Sequence, residues 1–352
     1  MNKLSSGLLC FLLAATLQAA EETKLSPLPV ALSNNAVVIT HGGKESKVFS
    51  FMGIGAKKTW DAITNRVFAM DISTGKWTEV RPVPGVAGRL AASAAALGDE
   101  IILIGGYVVD GQGGETTVAD VNIYYPGENR WYHAEDTPTP VDDSVIGVYR
   151  DRYVYLIGGW SRTEPTRKVQ VFDTEKNKWM EATPLPGTPV FGHSGAIVGD
   201  TIVYVDGAYP NPNGANPKYV ASSECWMGKL TKADVTKIEW TKLPDHPGAA
   251  RYRIAAGAAE KDSKIYFSGG TDNPYNYNGV GYNGQPSEPS PVTFAFNTKT
   301  GKWQTINENT SDPVMDLRGL LVTHRGLIIV GGMEKGQQVT PKIAIVKTSP
   351  AK

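Results

Sequence analysis

The sequence predicts an all-β fold, a propeller of six four-stranded antiparallel blades. Two observations carry this prediction. Apolar β-branched runs closing on a glycine pair recur down the chain, and most are followed by an alternating strand, a short turn and a Trp. Six glycine marks and five Trp marks fall at intervals of roughly 48 to 63 residues, a spacing in the range of propeller blades.

The clearest copy is IILIGGYVVDGQGGETTVADVNIYYPGENRW, residues 101–131. Its apolar run is too short for a useful helix and closes on Gly105-Gly106, so it reads as a buried strand. The alternation from Asp120 to Tyr125 marks a half-buried strand, and Pro126-Gly127-Glu128-Asn129 is turn chemistry. The pattern returns as YVYLIGG with VFDTEKNKW to Trp179, and as KIYFSGG with FAFNTKTGKW to Trp303. Two copies depart from it. VFSFMGIG carries Gly53-Ile54-Gly55 before Trp77, and IVYVDG puts Asp206 where a first glycine is expected, with Trp240 far downstream. The last mark, Gly331-Gly332, has no Trp after it.

Pro-rich joints follow the Trp in several copies: EVRPVPG, EATPLPG and TKLPDHPG. Residues 23–29 read TKLSPLP, the tail of a repeat without its head. This segment is therefore expected to serve as the outer strand of the last blade, joining the ends of the ring and hiding exposed edges.

The doubled glycine, the aromatic, the turn and the Trp resemble the Kelch family from about Lys24 to Thr348. That resemblance implies the six-bladed fold but not one function, since such propellers serve as enzymes, adaptors and sugar-binding modules. The family's copper-radical oxidases also use a C-terminal domain and a Tyr crosslinked to Cys, and their activity is not expected of this chain.

Residues 1–20 read as a secretory signal peptide: Lys3 is followed by an apolar core, Leu8 to Leu17, too short to span a bilayer, and then by small residues. The mature chain is expected to be exported, periplasmic or secreted, as one domain over residues 23–350 with no membrane span. It would keep only Cys225, so no internal disulfide is expected, and next to Trp226 this Cys reads as a small buried hydrophobe. Thirty-five basic residues balance 35 acidic ones, which argues against a nucleic-acid partner.

In such a blade the start of the inner strand, the end of the second strand and the joint from the previous blade share one face. At the inner-strand starts stand Arg89, Asp142, Asp143, His193, Arg251, Arg253 and Arg318. Arginines converging on the channel mouth suit a carboxylate, held in a guanidinium fork; the same residues also suit hydrogen bonding between the loops of adjacent blades. The second-strand loops of blades four and five, from Ala208 and Thr271, are rich in Tyr, Asn, Gly and Pro. Aromatic faces and amides are what a sugar ring needs. Tyr209, Asp272 and Tyr275 in these loops, with Trp160 and Trp60 in blades three and one, are candidate ligand contacts. His41, His133, His193, His246 and His324 are scattered, with no pair at metal-ligand spacing, so no metal or other cofactor is expected.

Signal peptide, six blades and N-terminal closure together resemble the periplasmic sialic-acid mutarotase (N-acetylneuraminate epimerase) family. That resemblance implies an isomerase acting on a carboxylated sugar. The family's Asn-Gly-Glu motif with a following Arg is unmatched, because this chain reads Asp206-Gly207-Ala208 there. Asp206 and His193 are the acid–base candidates, with Glu164 and Asp272 as further substitutes. The alternative is a noncatalytic propeller that presents its loops to a glycan or a protein.

Overall fold

The computed structural model describes residues 23–40, 46–85, 88–214 and 216–348. The expected signal peptide, residues 1–20, lies outside them. The second blade illustrates how sequence becomes sheet. Its apolar run forms the strand Glu100–Ile104, buried beyond its first residue. It pairs antiparallel with the inner strand Ser93–Leu97 on one side and with Val121–Tyr125 on the other. The outer strand Arg130–His133 then pairs with Val121–Tyr125 across the turn. Asn129 takes the left-handed conformation that this turn requires.

Five sheets repeat this four-stranded order, and among the described residues the sixth has three strands, Leu321–Thr323, Gly326–Val330 and Ile343–Val346. Six apolar clusters fill the seams between neighbouring blades. In one of them Phe49, Phe51 and Val67 of the first blade meet Ile101, Leu103 and Tyr124 of the second. Burial is thus shared out among inter-blade layers, as a radial repeat requires.

The repeated Trp has a further role: its indole N–H reaches back to the joint leaving the previous blade. Trp131 donates to Arg81 O at 3.1 Å, Trp179 to Glu135 O at 2.8 Å and Trp303 to Pro244 O at 2.9 Å. Trp77 donates to Ser26 O at 2.9 Å, so Ser26 sits where a chain leaving the sixth blade would be. Leu28 N–H bonds Pro341 O at 2.7 Å, and Leu28 and Leu32 pack with Ile328 and Val330. The N-terminal segment closes the ring in this way. Its described residues do so as a joint rather than as a paired strand.

In blades two to six the second glycine of the mark donates its N–H to the next joint, as Gly106 does to Val141 O at 3.1 Å and Gly332 to Leu32 O at 2.9 Å. The first glycine has positive φ, and a Cβ on Gly105 would lie 2.2 Å from Val141 O. In the first blade the register differs from the sequence reading. Ile54 pairs with Ser33 as Tyr107 pairs with Leu90, so Met52 (φ 56°) and Gly53 fill the doublet positions, and Gly55 lies beyond them.

Candidate functional site

One residue at the start of each inner strand has positive φ: Asn34, Ala91, Asp143, Gly192, Arg253 and Asp316. They sit at equivalent positions around the axis and are linked in relay. Asn34 N–H donates to Asp316 O, Asp143 N–H to Ala91 O, Gly192 N–H to Asp143 O and Arg253 N–H to Gly192 O, at 2.8–3.1 Å. This backbone ring gathers the charged side chains at the centre of the disc.

The centre is a buried, charge-matched network. Arg253 grips Asp143 through Nε at 3.3 Å and Nη2 at 2.8 Å, and reaches Asp316 with Nη1 at 2.9 Å. Arg318 Nη2 lies 2.6 Å from Asp143. Asp316 also accepts from Ser33, Asn34 and Tyr275, and Tyr252 donates to Asp143. Burial pushes Asp143 upward, but Arg253 and Arg318 outweigh it and hold its carboxyl below the ordinary range. Neighbouring Asp142 is raised well above that range by burial and by the charge of Asp143, although Thr117 donates to it at 2.8 Å. The two adjacent carboxyls are therefore pushed in opposite directions.

Above the network, second-strand loops and the joints entering the inner strands form an aromatic wall. Phe191, Tyr219, Tyr252, Tyr275, Met315 and Met333 make one cluster, with Trp160 and Tyr282 packed on it. Trp160 meets Phe191 and Tyr219 edge-on at 5.2 and 5.6 Å, and Tyr282 meets Tyr219 at 4.7 Å. The blade-five loop crosses the centre: Tyr277 packs on Ile54, Leu90 and Tyr107 of blades one and two, and Gln337 of blade six donates to Ser287 O at 2.8 Å. Glu115, on the hairpin Tyr107–Val109 and Glu115–Thr117, is exposed at the rim. Its carboxyl is nevertheless raised by desolvation, which the field of Arg253 offsets only in part. Lys218 stands over the Tyr219 ring at 5.0 Å and makes no ion pair among the described residues.

Below the ring the axis is a cavity of about 940 Å³ between the inner strands. It runs from Asp143, His193 and Arg318 to Arg150, Asp151, Asp200, Lys232 and Glu260 at the opposite hairpins, with mainly small and apolar walls.

The sequence-selected residues separate into groups. Arg253, Arg318, Trp160 and Tyr275 come together at the centre. Arg89 and Arg251 occupy one equivalent joint position and turn into their own blades. Arg89 bonds Asn122 and pairs with Asp120 at 3.1 Å, while Arg251 bonds the carbonyls of Gly269 and Val292. His193 is buried with Nε2 3.0 Å from Ile157 O, and desolvation lowers it to about 4. Tyr209 is half-buried on its hairpin, and Asp272 is exposed. Asp206 is fully buried. It accepts Arg251 N–H at 2.9 Å and faces His246 Nε2 at 2.9 Å, so it holds the joint entering blade five rather than the loop after it. Burial works against the charge of His246, yet the hydrogen bond to Asp206 wins and raises it. Reading the sequence blade by blade missed Asp316, Tyr107, Glu115, Lys218, Tyr252 and Tyr282. Aligning the residue before each inner strand across all blades would have found Asp316.

A six-bladed ring with a closed seam and a loop-built centre defines a repeat propeller, and the comparisons specify which kind. The KLHDC2/KLHL20/DRC7 Kelch-repeats domain matches residues 9–208, more than half of the chain. A second model, described as a protein of unknown function (DUF1668), matches residues 125–310. The chain belongs to the Kelch-repeat family. It is 31% identical over 149 residues to Kelch-like protein 36 of Bos taurus, covering 42% of this chain and 24% of that one. It is 27% identical over 278 residues to Kelch-like protein terF of Aspergillus terreus, covering 76% and 55%. The chain thus spans about a quarter to a half of these relatives. Among solved structures, "Structure of YjhT" aligns with a TM-score of 0.73 over 93% of this chain and 98% of that one, at 17% identity, a likeness of fold.

Proposed function

We propose that this Kelch propeller is exported, binds an acidic carbohydrate at the centre of its loop face and interconverts its anomers, as a mutarotase of the sialic-acid type. The six-bladed architecture resembles that of the sialic-acid mutarotase family, and YjhT shares the fold. The reading rests on the position of Glu115: its carboxyl stands at the rim of the loop face near Tyr282 and Lys218, and desolvation there raises it above the ordinary carboxylate range. A raised carboxyl is better suited to taking and returning a proton than one at its ordinary value.

The chemistry needed is modest. Glu115 takes the proton of the anomeric hydroxyl and delivers it to the ring oxygen as the bond from the anomeric carbon to that oxygen breaks. The open-chain carbonyl rotates, and the reverse transfer closes the other anomer with no net gain or loss of protons. Trp160 and Tyr282, both half-buried, offer faces for the sugar's C–H surface, with Tyr209 at the edge and fully buried Tyr275 behind them. Arg253 and Arg318 are already matched by Asp143 and Asp316, so they set the field of the floor while Lys218 takes the sugar carboxylate. The noncatalytic alternative draws support from Trp60 and Val280, exposed at 51% and 42% in the loops of blades one and five, a surface that suits a glycan or a protein.

Proton NMR of freshly dissolved N-acetylneuraminate tests the reading. Catalytic amounts of protein should speed the approach to anomeric equilibrium, and Glu115→Gln should return the rate to that of buffer. An unaccelerated rate with the native protein removes the mutarotase reading, and line broadening of the sugar without acceleration favours the binding module.

A further inference from the structure

Far apart in the sequence, Asp206, Cys225 and His246 meet in the seam between the fourth and fifth blades. Asp206 stands where four other blades carry the first glycine, with φ 64°, a conformation that disfavours side chains. Its carboxylate has no exposure to solvent, and Cys225 has none either. One ligand atom from each of the three residues lies within 4.8 Å of the others. A carboxylate, a thiol and an imidazole are the side chains that bind zinc.

The orientation of the histidine argues for a site rather than a coincidence of packing. His246 Nδ1 is 2.9 Å from Pro247 O, which leaves Nε2 as the atom facing the cluster, 2.9 Å from both oxygens of Asp206. A ligating histidine is usually fixed in this way, its second ring nitrogen bonded to a carbonyl. The ring is also held flat against Phe294, centroids 4.3 Å apart and planes 9° apart. The Arg251 guanidinium, the nearest competing cation, is bonded to the carbonyls of Gly269 and Val292, and only its backbone N–H touches Asp206.

We propose that Asp206, Cys225 and His246 form a structural zinc site that ties blade four to blade five. Zinc displaces the proton between His246 Nε2 and Asp206 and the thiol proton of Cys225, two protons for one dication. The buried site keeps the same net charge, so the exchange adds no buried charge to the seam. Asp206 presents both oxygens to the same point, and the second completes a four-donor set. Because all three residues are buried, the ion enters as the blades close during folding.

The test is made on the full mature chain, unfolded in chelator and refolded with or without equimolar zinc. One zinc per chain by elemental analysis, with a higher melting temperature than the zinc-free sample, is the expected result. Cobalt(II) in place of zinc should give a thiolate-to-metal charge-transfer band. Cys225→Ser, a small change in a buried pocket, should still fold, lose that band and lose the bound zinc. His246→Gln should lose zinc as well, and if it fails to fold the Cys225→Ser arm still decides. Substoichiometric metal in the refolded native chain, or equal metal and spectra in native and Cys225→Ser protein, overturns the proposal.

Discussion

Replacing Asp316 with Ala strikes the ring where the first, fifth and sixth blades meet. Its carboxylate accepts from Ser33 Oγ at 2.7 Å, Arg253 Nη1 at 2.9 Å, Asn34 Nδ2 at 3.0 Å and Tyr275 Oη at 3.1 Å, and none of it is exposed. Removal leaves Arg253 with Asp143 alone, and the centre holds two guanidinium groups against one charged carboxylate. Breaking one partner of a buried ion pair costs about 3–5 kcal/mol. Asp316→Asn keeps an acceptor but loses the charge, and should cost about 1.5–3 kcal/mol, the worth of a hydrogen bond to a charged group. Urea unfolding followed by tryptophan fluorescence reads both values, and an unchanged slope shows that only stability has moved. A loss below about 1 kcal/mol for Asp316→Ala would refute the view that this network fixes the centre, since that is the worth of one neutral hydrogen bond.

Deleting residues 23–29 removes the Leu28 side chain from its seam together with four hydrogen bonds, Ser26 N–H to Gly75 O, Leu28 N–H to Pro341 O, Trp77 Nε1–H to Ser26 O and Arg325 Nη2–H to Thr23 O. The truncated protein should lose about 5–7 kcal/mol, from about 2 for the leucine and about 1 for each bond, and an unchanged melting temperature would rule out the closure. Asp142→Asn should change how stability depends on pH. The native Asp142 stays neutral while its unfolded counterpart ionises above about pH 4, so the native protein loses up to about 1.4 kcal/mol per pH unit from pH 4 up to its folded pKa. The Asn variant should lack that slope, which denaturation at a series of pH values would reveal. Asp143, held below the ordinary range, gives the opposite sign, with stability present above about pH 4 and lost as pH falls through its folded pKa.

The fold was legible because each blade repeats the same solution: a buried β-branched strand, a glycine that lets its N–H reach the next joint, and a Trp that anchors the previous one. Legibility failed where a blade solves the problem differently. Met52 takes a glycine conformation, so the visible Gly53-Ile54-Gly55 pointed to the wrong register. At the centre, the sequence singled out Arg253 and Arg318 as cations but did not reveal that Asp143 and Asp316 neutralise them, because residues from different blades meet only through closure of the ring. Arg89 and Arg251 looked like their neighbours in sequence. Two residues of offset from the ring position turn their side chains into the blades instead of toward the axis. Glu115 had no local signature, since its raised pKa depends on desolvation and on Arg253, a residue brought near by the fold.

Crystals soaked with N-acetylneuraminate test the central claim, that the loop face rather than the axial cavity is the working surface. Sugar density should appear beside Trp160 and Tyr282, with its carboxylate near Lys218 and its anomeric hydroxyl within hydrogen-bond reach of Glu115. Density confined to the cavity between the inner strands, with the loop face empty, would contradict it.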